Sequence, residues 1–147
     1  METTAITETT ALIRIGLSLL FGGLIGMERK KHNHPAGSRT FMLICMGATL
    51  ATLASIYICQ TNPDLHNGDP GRIAAQILTG IGFLGAGLII KGNDGVSGLT
   101  TAACIFMTAV IGVAVGVGML LVASVVTLVV LLILWSTYFS KKPGSDS

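Results

Sequence analysis

Apolar residues run through this chain in long blocks, without the alternation of a half-buried strand or the single stripe of a soluble helix. From Gly95 to Ser140 the sequence passes 46 residues with no Asp, Glu, Lys or Arg. Another 24 uncharged residues separate Arg39 from Asp64, and 18 separate Arg72 from Lys91. A helix needs roughly 20 apolar residues to cross a bilayer, so the longest block predicts two spans and each of the others predicts one. A fifth candidate, Thr9–Met27, is 19 residues long and carries Arg14. The pattern therefore predicts five spans, at about 9–27, 40–60, 72–90, 99–115 and 119–139. The last two are divided at Gly116-Val117-Gly118, because one helix through both would reach about 60 Å, twice the hydrocarbon thickness. The expected fold class is an all-α, polytopic transmembrane helix bundle forming one domain over residues 1–147, with no soluble domain.

Composition agrees with that pattern. The chain is 51% hydrophobic and 11% charged, against about a quarter charged in a soluble domain. Its polar segments are too short to fold into a cytosolic catalytic module. Charge adds a direction. The loop MERKKHNHPAGSR brings Arg29, Lys30, Lys31 and Arg39, the KGNDGVSG loop brings Lys91, and the tail brings Lys141 and Lys142, all on one side of a five-span chain. The other side holds Arg72 with Glu2, Glu8, Asp64 and Asp69. An excess of bases marks the cytoplasmic loops, so the amino terminus is expected outside and the carboxy terminus in the cytoplasm. Trp135 and Tyr138 suit an interfacial anchor at the inner end of the last span. The opening METTAITETT has no basic residue, unlike a signal peptide, so the first span is expected to be retained. The net charge of +2 comes from these loops and speaks of topology, so no nucleic-acid partner is expected.

Helices gain no hydrophobic reason to associate in lipid, and small residues spaced by four mark where backbones approach. Ser18, Gly22 and Gly26 form such a seam in the first span, Gly47, Ala51 and Ser55 in the second, and Gly112 with Gly116 in the fourth. The third span holds Gly80, Gly82, Gly85 and Gly87, and each interior glycine costs a helix about 1 kcal/mol relative to alanine. Two readings account for them: close helix packing, or a locally unwound span lining a polar cavity. Cys45, Cys59 and Cys104 sit singly, with no CxxC, and read as small packing residues.

Polar residues at membrane depth are functional candidates. Arg14 continues the Ser18 seam and points into the bundle; it either snorkels to the outer end of its helix, about 8 Å away, or finds an acid, the nearest by topology being Asp69. Asp69 reads as the N-cap of the third span with Pro70 at its first position. Arg72, Gln76 and Gly80 then descend one face of that span. Arg14, Asp69, Arg72 and Gln76 make up the candidate polar cluster. At the inner end, Thr100 and Thr101 open the fourth span as caps or cross-helix donors. His32 and His34 have neither helical nor zinc spacing and read as solvated loop. Glu28 and Asp94 inside, with Asp64 and Asp69 outside, include no adjacent pair, so no metal site and no cofactor is expected.

Taken in order, GLIGMERK, AGSRTFMLICMGA, DPGRIAAQILTGIGFLGAGLI and GLTTAACIFMTAVIGVAVG resemble the membrane domain of the MgtC/SapB family, over about Gly22 to Gly118. The resemblance implies a multi-pass protein of the bacterial inner membrane, linked to growth under magnesium limitation, to virulence in intracellular pathogens and to restraint of the membrane ATP synthase. It also implies that motif positions Glu28, Arg29, Gly37, Arg39, Thr40, Asp69, Arg72, Gln76, Gly80, Gly82, Phe83, Gly85, Gly87, Thr100, Thr101 and Ala102 matter, with Asp69 foremost. Departures are present. The acidic or amide residue familiar after Glu-Arg is Lys30 here, and Ile105-Phe106 replaces a common Leu-Trp pair. The cytosolic domain of longer members does not follow the last span, which aligns the chain with the short, membrane-only branch and leaves virulence and ATP-synthase roles outside what transfers.

Two functions compete. One is a non-enzymatic membrane regulator that binds another membrane protein through its glycine seams, and itself as a homo-oligomer, a dimer first. The other is an ion or small-solute transporter built around Asp69, Arg72 and Gln76. No nucleophile–base pair supports an enzyme.

Overall fold

In a computed structural model of the chain, five helices and one short hairpin follow in the order α1 (Glu8–Lys31), α2 (Ser38–Thr61), α3 (Gly71–Ala86), β1 (Ile90–Gly92), β2 (Gly95–Ser97), α4 (Leu99–Val117) and α5 (Leu120–Ser140). The structure describes residues 7–31, 36–61, 69, 71–93 and 95–140, the last four by backbone alone. Glu2, His32, His34, Asp64, Pro70, Asp94, Lys141, Lys142 and the Tyr138 side chain thus lie outside the described residues. The all-α membrane bundle expected from the sequence is what forms. Helices α1, α2 and α4 are each long and apolar enough to cross a membrane, and α5 contributes a shorter apolar stretch, Leu120–Ser136.

The helix ends have local causes. In α1, Glu8 occupies the first turn and Arg29, Lys30 and Lys31 the last, each matched to the dipole. Helix α2 starts where the Gly37 carbonyl accepts from the Thr40 and Phe41 N–H groups at 3.1 and 3.3 Å. Helix α4 ends in a Schellman motif. Gly118 takes φ 94°, its N–H donates to the Val115 carbonyl at 3.0 Å, and the Met119 N–H reaches back to Ala114 at 2.9 Å. The break required between the fourth and fifth spans is therefore this turn.

The third span differs from its predicted extent of 72–90. Helix α3 has 16 residues and stops at Ala86, because the Leu88 and Ile89 N–H groups turn back to Gly85 and Ala86. Ile90 already belongs to a strand, where it pairs antiparallel with Ser97, Lys91 with Val96 and Gly92 with Gly95. The segment read as a loop is thus a tight hairpin. Gly98, at φ 85°, leads from it into α4, and a Cβ there would collide with the Leu88 carbonyl.

Successive helices alternate in direction. Gly26 of α1 lies against Ser38 at the start of α2, Gly85 of α3 against Ala102 at the start of α4, and Arg14 of α1 against Gly118 after α4. One end of the bundle therefore gathers Arg29, Arg39 and Lys91, and the other gathers Arg14 and Arg72. The core lies among α1, α2 and α4, with Ile25, Phe41, Cys45, Ile111 and Val115 fully buried. Helix α4 touches all four other helices, α5 closes one side with Ala123, Thr127, Val130 and Leu134, and α3 buries only Gly85.

Candidate functional site

The glycines of the α1 and α4 seams lie against α2, inside one chain. A Cβ on Gly22 would stand 2.5 Å from the Phe41 carbonyl, and one on Gly26 2.5 Å from Ser38 Cα, so both glycines of α1 seat on the backbone of α2. On the opposite flank, Gly112 meets the Cys45 carbonyl at 2.5 Å and Gly116 meets Thr52 Cβ at 2.6 Å. Helix α2 is thus gripped from both sides. The contact also lets Thr49 Oγ1 donate to the Gly112 carbonyl across the α2–α4 boundary at 2.8 Å, a bond the sequence did not single out. Gly47 behaves otherwise, with no atom within 4 Å of a Cβ placed on it.

Arg14 neither meets Asp69 nor reaches past the bundle. Its guanidinium donates from Nη1 to the Gly116 carbonyl at 2.7 Å, taking up an acceptor that the Schellman turn leaves open. A Cβ on Gly118 would lie 2.7 Å from its Nη2, so a side chain at that glycine would displace it. Arg14 Nε is buried with no hydrogen-bond partner. Of the two readings offered for Arg14, pairing with an acid, Asp69, is not what forms: the guanidinium takes a main-chain carbonyl at the end of α4 instead. The Asp69 carboxylate serves its own helix, accepting from the Gly71 N–H at 2.8 Å as an N-cap does. Arg72 and Gln76 are exposed on α3. The four-residue cluster therefore divides, Arg14 sealing a turn and the other three lying along α3.

A second polar group sits at the opposite end. Arg29 is 3% exposed, and its Nη1 lies 3.7 Å from Oε2 of Glu28, which is 13% exposed. That separation is too long for a hydrogen bond, so the two are held by charge, and Arg29 Nε has no acceptor. Cys104 on α4 stands close enough to feel both charges, and Thr101, one turn earlier, is 2% exposed. Neighbouring residues of a helix ordinarily diverge. Here Arg29 is buried and Glu28 largely so, and the last turn of α1 carries a charged pair into the bundle. Cys104 had no sequence signal beyond its four-residue spacing from Thr108 and Gly112. Of the other motif positions, Arg39, Thr40 and Thr100 are exposed at helix starts, Gly37 precedes α2, and Gly87 follows α3. Among the described residues, no three His, Cys, Asp or Glu side chains converge as metal ligands.

The glycines of α3 divide: Gly85 packs against α4, and Gly80 and Gly82 meet no other helix of this chain. The helix is unbroken, and a Cβ added to Gly80 or Gly82 would meet no atom within 4 Å; Gly85 alone packs, 3.7 Å from Ala102. Phe83 is 81% exposed. Between α2 and α3 runs a shallow apolar groove of about 380 Å³, with Gly47 and Gly80 in its walls and Gln76 at its rim.

Apolar helices of alternating direction, with charges confined to turns and helix ends, define a polytopic membrane protein. The chain belongs to the MgtC family, whose model matches residues 15–142. YhiD of Escherichia coli K12, described as a candidate magnesium transporter, is 47% identical over 125 residues, covering 82% of this chain and 58% of its own length. SapB of Bacillus subtilis is 41% identical over 110 residues, covering 73% and 47%, and MgtC of Salmonella typhimurium 14028s is 42% identical over 120 residues, covering 82% and 49%. The chain spans about half the length of the curated relatives it matches. No solved structure matches it.

Proposed function

We propose that this protein is a non-enzymatic regulator in the bacterial inner membrane, serving adaptation to low magnesium and ion or energy homeostasis through contact with other membrane proteins. The observation that carries this reading is how the polar side chains at depth are spent. Arg14 closes a helix end, Thr49 ties two helices, and Arg29 lies buried beside Glu28 in the last turn of α1. None of these lines a passage among the described residues. The family match and the relatives' names favour a tie to magnesium. Orientation follows the positive-inside rule: the end bearing Arg29, Arg39 and Lys91 faces the cytoplasm. Gly22 and Gly26 are occupied by α2, so this reading assigns contact with other proteins to an outer face, that of α3, where Arg72 and Gln76 are exposed.

Transport is the second reading, favoured by the name of YhiD and by polar Arg72 and Gln76 on an exposed helix. Reconstitution decides between them. Vesicles holding the protein should take up no more magnesium, protons or anions than empty ones, while affinity capture from membranes of magnesium-starved cells retains a membrane-protein partner. Flux above empty vesicles that Gln76→Leu abolishes would replace regulation by transport.

A further inference from the structure

We propose that the exposed face of α3 is the interface of a parallel, two-fold homodimer, in which Gln76 pairs with Gln76 of a second copy and Arg72 of each copy reaches Asp69 of the other. The inference deepens the regulator reading, resting on its assignment of contacts to α3, and it names the surface and the occupant.

Helix α3 buries only Gly85, and unlike α5, whose outer face is also largely uncovered, it exposes a carboxamide, Gln76, on that apolar surface. At about 100° per residue, Asp69, Arg72, Gln76, Gly80 and Phe83 fall within about 80° of one another, and the packed Gly85 lies on the other side. Gln76 borders the groove formed with Leu43, Gly47 and Ala48, near the middle of α2, and is exposed there. A carboxamide facing hydrocarbon keeps two donors and an acceptor without partners, and lipid tails can supply none. A second protein surface at that level supplies them.

Self-complementarity identifies that surface as a second copy. A carboxamide donates and accepts, so two of them related by a two-fold axis satisfy each other, as an isologous interface requires. Asp69 and Arg72 repeat the logic at the outer end: three residues apart, with opposite charges and both exposed, they cross-pair under the same axis. Asp69 uses Oδ1 for the Gly71 N–H, which leaves Oδ2 for the partner's guanidinium. Close approach is permitted because nothing stands within 4 Å of a Cβ on Gly80 or Gly47. Phe83, 81% exposed, then meets its own symmetry mate near the inner end of the axis or enters the neighbouring groove.

The test uses the full chain in lipid vesicles. With Cys59→Ser as background, Phe83→Cys should form a disulfide-linked dimer on mild oxidation, whereas Leu121→Cys, equally exposed on α5, should not. Gln76→Leu should weaken dimerisation, read by energy transfer between labelled copies, by about tenfold. Asp69→Arg and Arg72→Asp should each dimerise poorly alone, and mixing the two should restore the dimer, since each copy then supplies the charge the other lacks. A folding defect cannot produce rescue on mixing. Equal cross-linking at 83 and 121, energy transfer unchanged in Gln76→Leu, or a mixture no better than its components would overturn the proposal. A Phe83→Cys adduct to a different membrane protein in native membranes, with no homodimer, would also overturn it while leaving the regulator reading intact.

Discussion

The bundle treats the glycine seams of α1 and α4 and the glycines of α3 oppositely. Helix α2 is gripped between two glycine seams of α1 and α4, whose hypothetical Cβ atoms would fall within 2.5 to 2.6 Å of α2 atoms. Helix α3 shows Gly80 and Gly82 to open space. Small residues therefore license close approach without saying what approaches. In α1 and α4 the neighbour is the same chain; Gly80 and Gly82 of α3 have none within 4 Å in it.

Substitution at the seams should break this contrast most strongly. Gly26→Leu or Gly112→Leu would drive a side chain into the backbone of α2. Overpacking alone costs roughly 1–3 kcal/mol and more where backbone is struck, so little folded protein should be recovered by size-exclusion chromatography. Gly80→Leu should leave the monomer folded. Equal loss of fold in all three would erase the distinction between the two helices.

Charges repeat the comparison one step down. Arg29 is buried beside Glu28, and removing one member of a buried charged pair costs about 3–5 kcal/mol. Arg29→Ala should lower the thermal unfolding midpoint in detergent by many degrees, whereas Arg72→Ala, on an exposed site, should barely move it. A smaller loss is expected for Arg14→Met, which strands the Gly116 carbonyl at about 1–3 kcal/mol. Hydrogen exchange should then quicken at Met119 and the first turn of α5 before it quickens in α2. Uniform exchange would mean that Arg14 does not guard that turn.

These contrasts also mark what the sequence could carry. The five helices were legible because uncharged length reports a span almost by itself, and the Gly116–Gly118 break followed from bilayer thickness. The end of α3 was not. Hydropathy runs on through Leu88, Ile89 and Ile90, and only the backbone turns after Ala86 and the pairing of Ile90 with Ser97 show that the helix has stopped. Arg14 was legible as a charge facing inward, yet its acceptor is a main-chain carbonyl 102 residues away, and carbonyls have no sequence signature. The Asp69 cap was legible because it is local, with Gly71 two residues on. The burial of Arg29 was not legible, for the opposite reason: it depends on how the end of α1 packs in the bundle.

The smallest effect tests the comparison from both sides. Thr49→Val removes one cross-helix bond to Gly112, worth about 0.6–2 kcal/mol in a membrane bundle, and should cost stability at any protein-to-lipid ratio. Gly80→Ala adds a methyl where nothing stands within 4 Å and exchanges glycine for a better helix former, a gain of up to about 1 kcal/mol. An isolated chain should therefore be slightly stabilised by Gly80→Ala. If α3 meets a second copy, the same methyl intrudes on a close approach, and the gain should shrink or reverse as copies become crowded in the bilayer. Measuring both variants at low and high protein-to-lipid ratio separates the two helices: Thr49→Val should be independent of the ratio and Gly80→Ala dependent on it. Ratio-independence of both would leave the glycines of α3 facing lipid.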